Sequence, residues 1–190
     1  MLMTDDLVHS AVHGDPDATA ALLAALRPGV VRYCRAKLGR IGGAYTTADD
    51  VSQDVCLALL RALPRYRDQG RPFTAFVYAI AAHKVADAQR AAARSAGTAP
   101  VDGLDERPDS SPGPEQQAVS TDLARRLSGL LARLPEQQRE IVVLRVAAGL
   151  SAEEVGEIVG MSAPAVRVAQ SRALARLRTL AGDTLGEVAA

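Results

Sequence analysis

Residues Gly149 to Arg178 read GLSAEEVGEIVGMSAPAVRVAQSRALARLR, and their periodicity decides the fold. Ser151 followed three residues later by Glu154 is a capping box, the signature of a helix start. Val155, Ile158 and Val159 recur at helical spacing, Gly160-Met161 supplies a turn, and Ser162 opens a second helix. In that second helix Val166, Ala173 and Leu177 form the facing apolar stripe. Arg167, Ser171, Arg172 and Arg176 lie off it. Between Ser162 and Leu180 there are four arginines and no acid. A short capped helix, a glycine turn and a longer basic helix make helix-turn-helix geometry, with arginines placed for guanine edges and phosphates. A solvated basic hairpin shares the period. The two successive caps and the acid-free second helix favour DNA.

Working outward, the composition is rich in Ala and Leu, lacks Trp, and shows no alternating run of β-formers, so an all-α protein is expected. Net charge is zero, which excludes a global field toward nucleic acid or an anionic membrane. Local polarity is another matter: Arg61 to Arg94 holds seven Arg or Lys against two Asp. Cys34 and Cys56 sit inside helical patterns without metal spacing and read as two buried thiols. MLMTDDLVHSAV lacks the basic start and apolar run of a signal peptide, and no stretch reaches the length of a membrane span. A cytoplasmic protein with no membrane insertion is expected.

The N-terminal half carries four helical patterns. The first covers about Thr4 to His13; the second begins at Asp15-Pro16-Asp17 and reaches Gly39, with Pro28 a kink site. The third is capped by Thr47 with Asp50 three residues on, and its stripe is Val51, Val55, Leu59, Leu60 and Leu63. The fourth starts at Pro72, a favoured first-turn position, and ends near Ser95. Ala96 to Pro114 then holds four prolines and three glycines among Asp and Ser, the composition of a flexible acidic linker. Helix resumes over Glu115 to Leu134, and Pro135 opens the next one. The expected architecture is two small helical domains joined by that linker.

All six aromatics, Tyr33, Tyr45, Tyr66, Phe73, Phe76 and Tyr78, precede residue 79. Four of them flank or follow the loop PRYRDQGRP, Pro64 to Pro72, which carries Arg65, Arg67, Asp68 and Arg71. Arginine beside aromatics suits single-stranded nucleic acid: phosphate neutralisation plus a platform for unstacked bases. Phe73, Phe76 and Ile80 recur at helical spacing and read as core, leaving Tyr66 and the loop arginines as the functional candidates. On the fourth helix His83, Asp87, Arg90 and Arg94 share one face, bordered by Lys84. His83/Asp87 lacks a third ligand, and His9/His13 repeats the spacing, so no metal site is expected. No nucleophile–base arrangement or phosphate-cradling loop is present, so no catalytic residue and no cofactor is expected.

TADDVSQDVCLALLRAL, FTAFVYAIAAHKVADAQR and LPEQQREIVVLRVAAGLSAEEVGEIVGMSAPAVRVAQSRALARLR, in that order, resemble a bacterial extracytoplasmic-function (ECF) sigma factor of RNA polymerase. VRYCRAKLG and PRYRDQGRPF are similar to its actinobacterial sigma-D type. The resemblance implies a sigma region 2 helical bundle over 1–95, a linker over 96–114, a region 4 helix-turn-helix domain over 115–184 and a tail over 185–190. It further implies that Asp50, Gln53 and Asp54 dock on the clamp coiled coil of core RNA polymerase and that region 4 meets its flap. By the same resemblance the loop Arg65, Tyr66, Arg67, Asp68 and Arg71 captures a flipped base of the −10 element. His83, Lys84, Asp87, Arg90 and Arg94 then grip the −10 duplex edge. Ser162, Arg167, Gln170, Ser171, Arg172 and Arg176 fall on the −35 reader. An anti-sigma factor is an implied partner beside core polymerase and promoter DNA.

The sequence departs from the family at four places: Phe76 stands at its usual Trp, His83 at a common Asn, Gln170 at a usual core Leu and Val168 at a small polar residue. Gln170 is either an adenine reader or a satisfied core amide. On the residues alone, two readings compete with the sigma factor. A stand-alone repressor with a dimerising N-terminal domain would bind its operator without polymerase. An enzyme with a DNA-binding tail would need a polar cleft in residues 1–95.

Overall fold

The computed structural model describes residues 5–38, 47–95 and 126–188. The expected linker, Tyr45, and the first part of the helix expected from Glu115 lie outside the described residues. Among those described there is no strand. Helix α1 (Asp5–Val12) ends at Gly14, whose φ of +90° is a left-handed turn that favours glycine. Asp15 opens α2 (Pro16–Leu38), its Oδ1 accepting from the backbone N–H of Asp17 at 2.9 Å and Ala18 at 3.2 Å. Pro28 lies inside α2 without ending it. Helix α3 (Ala48–Ala62) has the expected capping box between Thr47 and Asp50. It tightens into a single 3-10 turn, Leu63–Arg65.

Helix α4 (Phe73–Ser95) begins one residue later than expected. Pro72 is the flanking residue, and its carbonyl accepts from Ala75 N–H at 2.9 Å. The second half comprises α5 (residues 126–132), α6 (Glu136–Val142), α7 (Ala152–Val159) and α8 (Ala163–Val188). One feature was not foreseen. Past α6 the chain widens into a π turn, Val143–Ala147, closed by Ala148 N–H on Val143 O at 3.0 Å. A π turn inserts one residue into the helical register. Here Val143 and Leu144 stay buried while Arg145 reaches Gln170.

The larger of two core clusters runs through both halves, and the smaller, Leu131, Leu134, Val142 and Ala173, lies in the second half. Leu22, Val30, Tyr33, Val55, Leu59 and Val77 from the first half meet Ile141, Leu144, Val155 and Val166 from the second. Each fully buried aliphatic side chain contributes about 1.5–3 kcal/mol. Leu60 is a correction to the expected stripe: it is 43% exposed, whereas Val51, Val55, Leu59 and Leu63 are buried. It lies about 100° round the helix from Leu59, beyond the buried face.

Polar contacts sew the halves together. Arg32 Nε donates to Ala147 O at 2.6 Å, and Tyr33 OH donates to Glu140 Oε1 at 2.8 Å. Lys37 pairs with the other oxygen of Glu140. The buried hydroxyl of Thr74 donates to Glu154 Oε1 at 3.0 Å. Gly29 marks the closest approach: a Cβ there would stand 2.7 Å from Tyr78 OH and 3.2 Å from Ala148 O. The expected pair of tethered domains is thus packed face to face.

Candidate nucleic-acid interface

Three surfaces carry the residues singled out in the sequence. The first is the loop between α3 and α4. Tyr66 follows the 3-10 turn and donates its N–H to Leu63 O at 3.0 Å. Its half-buried ring packs edge-on to Phe73 and tilted against Phe76, both centroids 5.0 Å away. The ring is therefore held between its neighbours while staying partly exposed. Asp68 Oδ1 accepts from Gly70 N–H at 2.8 Å, and Gly70 has φ of +72°, so a side-chain turn fixes the loop tip. Arg65 and Arg67 are exposed. Arg71 is exposed too but reaches across to α7, its guanidinium on the Glu157 backbone carbonyl and 3.5 Å from the Glu157 carboxylate.

On α4 the expected face is present. His83, Arg90 and Arg94 are exposed, and Lys84 and Asp87 half-buried. Asp87 sits at the centre, 3.5 Å from His83 Nε2 and hydrogen-bonded to Arg90. That Arg90 bond, then the nearness of His83, Arg90 and Lys84, hold the Asp87 carboxyl below its ordinary range. Phe73 is buried, and Phe76 and Ile80 are half-buried against the core, as their spacing indicated.

The second surface is α8. Its packing face is the expected one: Val166 and Ala173 are buried and Leu177 half-buried. The hairpin closes where α7 meets the turn. Gly160 is left-handed, with φ of +71°, and a Cβ on Gly156 would stand 2.4 Å from Met161 O. Ser162 Oγ accepts from Ala165 N–H at 3.4 Å at the start of the helix. Ser171, Arg172 and Arg176 are exposed. Arg167 is exposed and paired with Glu153 of α7 at 2.5 Å. Gln170 is half-buried, and its Oε1 accepts from Arg145 Nε at 3.0 Å; Arg145 also donates to Leu150 O. Its carbonyl is thus spent inside the protein.

The third surface is the outer face of α3. Asp50 is exposed but committed to its cap, Oδ2 accepting from Thr47 N–H at 2.9 Å and Thr47 Oγ1 at 2.8 Å. Gln53 and Asp54 are exposed. Beside them lie two apolar residues that the sequence reading passed over, Leu57 at 51% and Leu60 at 43% exposure. The spacing Gln53, Leu57, Leu60 continues one helical face, and that period was the available signal. An acidic face with exposed leucines is suited to a protein partner rather than to DNA.

Comparison with known proteins matches these halves separately. Residues 22–95 match sigma-70 region 2, and residues 124–177 match sigma-70 region 4. The ECF RNA polymerase sigma factor ShbA of Streptomyces griseus is 58% identical over 178 residues, covering 92% of this chain and 93% of ShbA. The ECF RNA polymerase sigma factor SigD of Mycobacterium tuberculosis is 54% identical over 182 residues, covering 94% and 85%. Among solved structures, CnrH in complex with the cytosolic domain of CnrY superposes with a TM-score of 0.66 at 26% identity, covering 93% of this chain and 96% of that one. With both regions in order and relatives aligned over nearly their whole length, the chain belongs to the ECF sigma factors of bacterial RNA polymerase.

Proposed function

We propose that residues 1–95 and 115–184 divide promoter recognition between them, the first half taking the −10 element and the second the −35 element. As an ECF sigma factor the chain directs promoter-specific initiation by RNA polymerase. The observation that carries the division is the contrast between two surfaces. A ring-backed arginine loop suits an unstacked base, and an exposed arginine face on a second helix suits intact duplex. Arg65, Tyr66, Arg67, Asp68 and Arg71 hold the base. His83, Lys84, Asp87, Arg90 and Arg94 grip the adjoining duplex. Arg167, Ser171, Arg172 and Arg176, led by Ser162, read the −35 groove, and Gln170 supports them from within.

The outer face of α3 is the surface proposed for the clamp of core polymerase: Gln53 and Asp54 as polar contacts, Leu57 and Leu60 as apolar ones, Asp50 shaping the helix start. The flap is proposed to meet the second half. This chemistry is binding; the polymerase makes the bonds. No described helix is long and apolar enough to cross a membrane, and the family's work on the chromosome supports a cytoplasmic location. CnrH was solved with a cytosolic protein domain bound, which supports an anti-sigma factor as a partner of this chain as well.

Reconstituted transcription with core polymerase on a genomic library, with permanganate footprinting of unpaired thymines, tests the reading. Polymerase-dependent start sites sharing two spaced elements, with opening at the proximal one, are expected. Tight operator binding by the free protein and no polymerase-dependent initiation would establish the repressor instead.

A further inference from the structure

Val168 stands on α8 among the residues proposed for the −35 element, and the function proposed above gives it no task. Among the described residues of α8 it is the large apolar side chain left exposed, at 49%. Packing does not account for it, because Val166, Ala173 and Leu177 carry the face that α8 turns to the protein. Nor does helix formation, since a β-branched residue is a weaker helix former than alanine.

At about 100° per residue Val168 points away from that packing face, in line with the exposed Pro164, Ser171 and Ala175. Exposed Arg167 flanks the line on one side and exposed Arg172 on the other. Glu153 of α7 stands at the edge of this face, paired with Arg167. Val168 also lies close to the start of α8 at Ala163, the part of a groove-inserted helix that meets base edges. From Ser162 to Leu180 there are four arginines and no acid, which suits a polyanion. An aliphatic side chain at the centre of such a face calls for an alkyl group carried by that polyanion. The major-groove edge of DNA offers one, the C5-methyl of thymine; cytosine has only hydrogen at the same carbon. Set against an amine or a carbonyl instead, Val168 would displace water and return no hydrogen bond.

We infer that Val168 is a specificity-determining residue that packs on the C5-methyl of one thymine in the −35 element. The inference rests on the proposed reading of α8 as the −35 helix. The branched Val168 side chain has little rotamer freedom in a helix, so its methyl groups are already in place when the helix enters the groove. Arg167 and Arg172 anchor the helix on either side of the contact. The position is thereby selected by shape and an apolar contact, without a hydrogen bond from Val168.

The test uses the full chain assembled with core RNA polymerase, fluorescence anisotropy, and a promoter duplex recovered from the genomic-library transcription described above. Each thymine of its −35 element, on either strand, is replaced singly by deoxyuridine, which removes the methyl and keeps every hydrogen-bonding group. One of these replacements should weaken binding about fourfold, the contribution of one buried methyl group. At that same position 5-methyl-deoxycytidine should bind about fourfold tighter than deoxycytidine, again by one methyl. Val168→Ser should abolish both differences, and Val168→Ile should keep them. Thermal melting by circular dichroism, matched to the unaltered chain, shows that the variants fold. Equal binding of thymine and uracil at every position, the same loss in Val168→Ser, or a −35 element without an A·T pair overturns the inference. If Arg172→Ala/Arg176→Ala still weakens duplex binding in that case, the −35 reading stands. Val168→Ser that spares the duplex but weakens assembly with core polymerase overturns the inference too, and puts Val168 against a protein. Arg172→Ala/Arg176→Ala without effect on duplex binding removes the −35 reading itself.

Discussion

Gln170 shows how one side chain changes meaning once its neighbours are known. At a groove-facing position its amide would suit adenine. Its carbonyl instead receives Arg145, the residue that the π turn brings round and that also satisfies Leu150 O. Gln170→Ala leaves a half-buried guanidinium one acceptor short, so it should lower stability by about 1–2 kcal/mol. Urea unfolding measures that loss, and binding to a panel of single-substituted −35 duplexes should show an unchanged base preference. Arg167 is the opposite case, exposed and, among the described residues, paired with Glu153. Arg167→Ala should cost about 1–3 kcal/mol on the selected duplex, concentrated at one base pair. A loss spread equally over all sequences would make Arg167 a phosphate contact. Neither role was decidable from sequence: nothing in VRVAQSR reports that Arg145 arrives from 25 residues upstream.

At the scale of elements, local rules were legible and registers were not. Both capping boxes and the Gly160 turn follow from side chains within four residues of one another, and the stripe of α8 from spacings of seven and four, so spacing alone located them. The π turn, the exposure of Leu60 and the partners of Arg71 depend on what packs against the element. Of the candidate site, the loop and α8 faces were readable as surfaces, whereas the packing of α1 beside the loop was not, because residues 5–13 and 64–73 meet only in the fold. Helix α7 puts this to the test. Glu154 closes its capping box with one oxygen and receives Thr74 of α4 on the other. Glu154→Ala removes both and should destabilise by about 2–3 kcal/mol. Glu154→Gln keeps an acceptor and should cost less in the same urea titration. Gly156→Ala drives a methyl against Met161 O, an overpacking that typically costs about 1–3 kcal/mol. Its loss should appear in −35 binding as well, since the turn sets the angle of α8.

For the whole molecule, the joint between the halves is where protonation and stability meet. Tyr33, Cys34 and Tyr78 are buried beside it, with the Tyr33 and Tyr78 rings edge-on at 5.3 Å. Burial, then the Glu140 carboxylate, raises the Tyr33 phenol well above its ordinary value. Burial pushes Tyr78 up to about 12, and burial with Cys56 and Asp49 pushes Cys34 up to about 12. All three groups are neutral when protonated and more basic in the folded chain. The unfolded chain therefore releases their protons first as pH rises, from about 8.5 for Cys and about 10 for Tyr. Their contribution is whole below about pH 8.5 and is lost between there and the folded values. Each group that has ionised only in the unfolded chain costs about 1.4 kcal/mol per pH unit. Burial raises the Cys56 thiol as well, so the urea midpoint should hold from pH 6 to 8, sag to pH 10 on the two thiols, and fall steeply beyond it. Tyr33→Phe/Tyr78→Phe should flatten the steep limb while leaving the gentle one. A profile with the same steep limb in that double variant would place the alkaline sensitivity elsewhere than in the joint.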